Sequence, residues 1–145
     1  PISPMADTAP ALSLTADGAM KILQAAMAKA AAMEVPQCIS IVDTGGHLKA
    51  FCRMDGAFVL SNDSSLKKAK TAAFYGQKTG QMDDAVALKL ALATDGNRVN
   101  LPGGLPIIVD GHVIGGIGVG SGTGAQDLEV AKAGINAIEG AQNFD

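Results

Sequence analysis

Residues 103–127 read GGLPIIVDGHVIGGIGVGSGTGAQD, and they contain a predicted β-hairpin, a glycine-rich loop and the start of a helix. Asp110-Gly111 separates two apolar runs, Leu105–Val109 and Val113–Val119. An Asp-Gly pair accepts the positive φ angles of a two-residue type I′ turn. The pattern therefore predicts a tight antiparallel hairpin.

The glycine-rich loop is Gly120-Ser121-Gly122-Thr123-Gly124. Thr123 and Gln126 have the spacing of a capping box, which predicts that a helix begins here. Because free N–H groups at a helix N-terminus attract negative charge, the loop is a candidate anion site. Alternatively, its glycines only let the chain turn sharply from strand to helix. The chain has 18 glycines in all; they concentrate in its second half, and we interpret them as loop residues.

The length, charge and composition of the chain limit the classes of protein to which it can belong. A chain of 145 residues is expected to form one domain over residues 11–145. We interpret residues 1–10 as an N-terminal tail, with Pro1–Pro4 left by an expression vector. The net charge of −3 does not favour nucleic-acid binding. The sequence shows no signal peptide and no membrane-length apolar run, so we expect a cytoplasmic protein with no membrane partner.

Periodicity predicts the remaining elements. Apolar residues at three- and four-residue steps predict helices over about 15–34, 64–75, 81–94 and 124–141. Cys38–Asp43 and His47–Arg53 are predicted to form a second hairpin, and residues 97–104 form either a short strand or a loop. This order of elements is typical of an α+β fold, in which helices pack on an antiparallel sheet. Since both faces of the first hairpin are partly apolar, we expect the sheet to be covered on two sides.

The first hairpin also makes a geometric prediction. A three-residue loop, Thr44 to Gly46, would place Cys38 directly opposite Cys52, within reach of a disulfide. Two interpretations stay open: a pair of packed thiols, or a strained bridge that acts as a redox switch. The same register divides the apolar residues between the two faces of the sheet. Ile39, Ile41 and Phe51 would share one face, and Val42, Leu48 and Ala50 the other.

Several ordered motifs resemble the GlcG/HbpS-like family, from about Leu12 to Ile138. They are Arg53-Met54-Asp55-Gly56-Ala57, Lys68-Ala69-Lys70-Thr71-Ala72, Gly103-Gly104-Leu105-Pro106, Asp110-Gly111-His112-Val113-Ile114-Gly115 and Gln126-Asp127. The resemblance implies a profilin-like fold with a five-stranded antiparallel sheet, and frequent homo-oligomers. It also implies an association with haem in some members and with diol, glycerol or glycolate operons in others.

The sequence departs from this family in two places. Haem-binding members tend to have a histidine near the N-terminal helix, whereas the first histidine here is His47. We therefore expect weak or absent ligation of haem by His47 or His112, which we interpret as exposed turn residues. The family's Val-Ser-Gly-Gly loop reads Val119-Gly120-Ser121-Gly122-Thr123 here.

A small anion or the carboxylates of haem are the predicted ligands, with no metal ion. Arg53 would hold a carboxylate through two parallel hydrogen bonds, and Lys68 would add positive charge. Alternatively, Arg53 pairs with Asp55 or Asp127, and the helix lysines are a solvated face. The predicted ligand-binding residues are Arg53, Asp55, Lys68, Gly103, Gly104, Ser121, Gly122, Thr123 and Asp127.

The candidate residues and the family resemblance together leave three functions open, and the metabolic setting of each comes from the resemblance. We favour an oligomeric accessory protein of a diol, glycerol or glycolate pathway that binds a small anionic or haem-like ligand. The second is an enzyme (a lyase, isomerase or hydrolase) acting on a small oxygenated acid, with Arg53 as anchor and Asp127 or a lysine as base. The third is a structural partner of a dehydratase system.

Overall fold

The computed structural model of the protein describes residues 7–144. Its elements, in chain order, are α1 (Ala16–Ala32), β1 (Cys38–Asp43), β2 (Leu48–Arg53), α2 (Leu60–Tyr75), α3 (Asp84–Ala93), β3 (Gly104–Val109), β4 (His112–Gly120) and α4 (Gly124–Ile135). The predicted origin of Pro1–Pro4 falls outside these residues. No helix between residues 7 and 144 combines the length and apolarity that a membrane crossing requires.

The strands form an antiparallel sheet in the order β2-β1-β4-β3, which confirms the predicted α+β class. Among the described residues the sheet has four strands, not the expected five, since residues 97–103 form a loop. Within residues 7–144, the outer edge of β3 carries a single bridge, between Val109 and Ala141. The chain reaches this edge by turning through residues 136–140, and α4 therefore ends at Ile135, before the predicted 141.

The central hairpin and the α4 start agree with prediction. Val109 opposes His112, and the two turn residues Asp110 and Gly111 have φ angles of 50° and 76°. The capping box is complete, because Thr123 Oγ1 accepts from Gln126 N and Gln126 Oε1 accepts from Thr123 N. Both features depend on neighbouring residues only.

The predicted register of the first hairpin is wrong. Val42 opposes Leu48 as expected, but an irregularity between Ile41 and Val42 shifts every pair beyond it by one residue. Cys38 therefore opposes Arg53, and Cys52 opposes Ile39. Adjacent residues of a strand point to opposite faces, so the two cysteines lie on different sides of the sheet, and both are free thiols.

The same shift corrects the predicted faces. Ala50 opposes Ile41 and lies in the main core, whereas Phe51 opposes Ser40 and points to the other side. That main core lies between the sheet and helices α1 and α4. Helix α2 covers the opposite face, which confirms a sheet covered on both sides.

Glycines of β4 allow α2 to lie directly against the sheet. A Cβ atom on Gly116 would collide with the carbonyl oxygen of Ala69, and one on Gly118 with the carbonyl oxygen of Ser65. These glycines are therefore packing residues inside a strand, and interpreting them as loop residues was wrong. The contact brings α2 next to the end of β4, where the predicted site residues lie.

Candidate functional site

A buried ion pair joins α2 to α4 at the end of β4. The Lys68 ammonium donates to the carbonyl oxygen of Val119 at 2.8 Å and to Asp127 Oδ2 at 3.1 Å. Both side chains are nearly inaccessible, with exposed fractions of 7% for Lys68 and 4% for Asp127. A charge this deeply buried must be paired and hydrogen-bonded to be tolerated.

Asp127 is also bound by the glycine-rich loop. Its Oδ1 atom accepts from Gly122 N at 2.9 Å. With the Gln37 amide in the orientation that satisfies its neighbours, the amide nitrogen donates to the same oxygen at 2.8 Å. Burial raises the pKa of Asp127, while the Lys68 charge and the hydrogen bonds from Lys68, Gly122 and Gln37 lower it. The anion that this loop binds in the structure is thus a carboxylate of the chain itself.

Other predicted residues belong to the same cluster. Gly103 packs between Val119 O and Asp127, and Gly104 packs against the Lys68 carbonyl. Ser121 Oγ accepts from Phe58 N at 3.0 Å and contacts Ser61 Oγ at 2.7 Å. The structure thus brings together Lys68, Gly103, Gly104, Ser121, Gly122, Thr123 and Asp127, hereafter the Lys68–Asp127 cluster. The hydrogen-bond donors of this cluster bind acceptors within the chain, and a role of the cluster in ligand binding stays a prediction.

Arg53 and Asp55 lie elsewhere. Arg53 opposes Cys38, whose other neighbour is Gly120. Arg53 is therefore two strands, or about 9–10 Å, from the end of β4. Neither Asp55 nor Asp127 forms an ion pair with Arg53 in residues 7–144, so those two predicted partnerships are absent there.

Arg53 and Asp55 instead line a groove of about 460 Å³ between the C-terminal half of α1 and strand β2. We call it the α1–β2 groove. Its lining residues are Met27, Ala30, Ala31, Glu34, Val35, Pro36, Cys52, Arg53, Met54 and Asp55. Three half-buried side chains contribute sulfur atoms. The exposed Arg53 is the last residue of β2 and lies at the edge of the groove, with its side chain starting on the Cys38 face of the sheet. An apolar surface with a few charged groups is typical of a small-molecule site.

The histidines are remote from this groove. His47 and His112 are exposed and lie at the turn end of β2 and β4, whereas Arg53 lies at the opposite end of β2. A strand of six residues is about 20 Å long. The interpretation of both histidines as exposed turn residues is confirmed.

A second cavity, of about 210 Å³, was not predicted from the sequence. It lies between the end of α2, the segment 77–82 and residues 99–100, and we call it the Tyr75 cleft. Thr71, from one of the quoted motifs, lies in its wall. No other sequence signal marks the cleft, because most of its walls come from segments without regular structure.

Comparison with known proteins identifies the relatives of this chain. A family model described as haem degrading protein HbpS-like matches residues 14–136. An uncharacterised 15.0 kDa protein from the dhaT-dhaS intergenic region of Citrobacter freundii is 41% identical over 131 residues, covering 87% of this chain and 92% of that protein.

Two further relatives have informative names. The corrinoid adenosyltransferase PduO of Citrobacter freundii is 33% identical over 134 residues, which cover 89% of this chain but only 40% of that protein. The solved structure of the PduOC:heme complex is 29% identical with a TM-score of 0.83, and the match covers 92% of this chain and all of that one. The expected kinship is thereby confirmed, and the chain belongs to the HbpS-like family.

Proposed function

We propose that this chain binds haem in the α1–β2 groove, as a cytoplasmic accessory protein of a diol- or glycerol-degrading pathway. The observation that carries the proposal is the groove itself, with its apolar lining and, at its edge, Arg53, which forms no ion pair among the described residues. The family description and the haem complex of PduOC support haem as the ligand. The PduO and dhaT-dhaS relatives support the metabolic setting.

The groove suits a flat apolar ring that carries carboxylates. Met27, Val35 and Met54 supply apolar surface, and each 100 Å² of apolar area removed from water contributes about 2.5 kcal/mol. Arg53, free of any ion pair among the described residues, supplies the planar fork that pairs with a carboxylate. The ring would then be buried in the groove, and a propionate would pair with Arg53 at its edge.

The side chains of the groove also include ligand types that haem iron accepts. Met27 and Met54 carry thioethers, and Cys52 carries a thiol; methionine and cysteine are both known axial ligands of haem. A bound haem would supply a redox-active iron whose potential depends on that axial ligand. The nearest alternatives, His47 and His112, lie at the other end of the strands.

Titration with haemin, followed by its visible absorption, tests the proposal. Arg53→Ala removes the carboxylate partner, and we expect the affinity to fall about 10- to 100-fold, as for a lost charge-assisted hydrogen bond. Lys49→Ala is the matched control, because Lys49 is an exposed cation of the same strand outside the groove. An unchanged affinity in Arg53→Ala, with loss of binding in His47→Ala or His112→Ala, would overturn the proposal.

Homo-oligomerisation is the second part of the proposal, and α3 supports it. Among its ten residues only Asp84 and Lys89 are charged, yet none is buried and α3 contacts no other helix or strand of the described chain. Leu88 and Leu92 are 67% and 72% exposed. An isolated helix this short is marginal in water, so we infer that a second copy covers it.

Light scattering at micromolar concentration checks this part. The wild-type chain should give a multiple of the monomer mass, and Leu88→Glu should shift it toward the monomer. Lys21→Glu, a charge change on exposed α1 surface, should leave the mass unchanged. A monomer mass for the wild type contradicts the inference.

A further inference from the structure

The Tyr75 cleft has firmly fixed walls. Thr71 Oγ1 accepts from Val99 N at 3.0 Å, which fixes one wall to α2. Its one proton has two carbonyl acceptors, Lys67 O at 2.8 Å and Asn97 O at 3.1 Å. The Asn100 side chain accepts from Met82 N and donates to Met82 O, at 2.9 and 2.8 Å. These bonds tie the walls of the cleft together, and such preorganisation reduces the cost of binding.

Polar groups at the cleft are unused within the chain. Lys78 forms no ion pair in residues 7–144, and the described hydrogen bonds include none from the side chains of Tyr75, Gln77 or Gln81. The residues that line this one cavity of about 210 Å³ therefore include an ammonium, a phenol and two amides that no group of the described chain binds. A few polar groups in the wall of a cavity orient a ligand that carries polar groups of its own.

Arg98 adds a second positive charge next to Tyr75, which lines the cleft. Its guanidinium stacks on the Tyr75 ring, and its Nε and Nη2 atoms are buried without a hydrogen-bond partner in the described chain. Burial lowers the pKa of Arg98, although such a group stays protonated at any physiological pH. Two cations close to one cleft, neither of which binds a carboxylate of residues 7–144, favour an anionic ligand.

We propose that the Tyr75 cleft binds a small hydroxylated carboxylic acid, with its carboxylate at Lys78 and its hydroxyl groups at Tyr75, Gln77 and Gln81. The volume of the cleft agrees with a ligand of this class. A volume of about 210 Å³ equals that of about seven water molecules, which matches an acid of three or four carbons. This site is distinct from the α1–β2 groove and does not depend on haem.

Titration of the full chain with D-glycerate, followed by amide NMR shifts and calorimetry, tests the inference. We expect saturable binding, with shifts at residues 75–82, and little binding of glycerol, which lacks the carboxylate. Lys78→Gln should weaken binding at least 10-fold. Lys89→Gln, an exposed cation of α3 outside the cleft, should leave it unchanged.

Two outcomes overturn the inference: no saturable binding at 10 mM, or binding that Lys78→Gln does not weaken. Inorganic phosphate that binds as tightly as glycerate also overturns it, since the cleft would then recognise charge alone. The Arg53→Ala variant distinguishes the Tyr75 cleft from the α1–β2 groove. It should leave glycerate binding unchanged while haem affinity falls, so either proposal can fail without the other.

Discussion

Replacing Lys68 with Met tests the Lys68–Asp127 cluster most directly. Methionine keeps most of the apolar stem but removes the ammonium, which bonds to Val119 O and Asp127 Oδ2. The Asp127 carboxylate then stays buried without a cation. Breaking one side of a buried pair costs about 3–5 kcal/mol, and Gly122 and Gln37 still hold the carboxylate. We therefore expect a loss of about 3 kcal/mol at pH 7, or about 10 °C in Tm.

The loss should depend on pH in a defined direction. Burial already raises the pKa of Asp127 above its ordinary 3.8, and the Lys68 charge opposes that shift. Without Lys68 the pKa rises further. A carboxyl group whose pKa is raised by folding contributes stability below its unfolded pKa and loses it as pH rises through the folded pKa. The Lys68→Met defect should therefore be small near pH 4 and largest at pH 7–8.

Thermal and urea unfolding of both proteins between pH 4 and pH 8 measures this difference. Lys67→Met is the matched control: Lys67 is the preceding residue, and its ion pair with the exposed Asp63 lies at the surface. That change should cost less than about 1 kcal/mol at every pH. A Lys68→Met defect that is equal at pH 4 and pH 8, or no larger than that of Lys67→Met, would refute the role assigned to the buried charge.

Three further outcomes follow from the packing. Gly118→Ala should leave little folded protein in a circular dichroism melt, because its Cβ would collide with the Ser65 carbonyl; a melt close to the wild type would contradict this contact. Mild peroxide should produce no intramolecular disulfide by mass spectrometry, since Cys38 and Cys52 lie on opposite faces and burial raises the pKa of the Cys38 thiol; a Cys38–Cys52 bridge would disprove the register. His47→Ala should leave the haemin absorption spectrum unchanged, because His47 lies far from the α1–β2 groove; a lost band would indicate ligation by that histidine.

Structural features that depend only on neighbouring residues could be predicted from the sequence. The Asp110-Gly111 turn and the Thr123–Gln126 capping box depend on residues within a few positions of each other. The sequence could not reveal the irregularity in the first hairpin, where Lys49 of β2 is left without a partner in β1, since no residue type there distinguishes a regular pairing from a shifted one. The roles of the β4 glycines also depend on a distant helix, because the carbonyl that excludes a side chain at Gly118 belongs to α2.

The types of residue in the candidate site could be predicted from the sequence, but which of them lie together could not. Their complementary charges predict that Arg53, Lys68 and Asp127 lie together. The structure instead pairs Lys68 with Asp127, which is 59 positions away, and leaves Arg53 at a separate groove. Which cation binds which anion depends on the strand order β2-β1-β4-β3, and sequence spacing alone does not determine that order.

A crystal structure of the chain with bound haem would test the central proposal most directly. We predict the ring in the α1–β2 groove, with a propionate at Arg53 and the iron facing a sulfur atom of Met27, Cys52 or Met54. Haem bound instead at the opposite end of the sheet, with its iron on His47 or His112, would contradict the proposal.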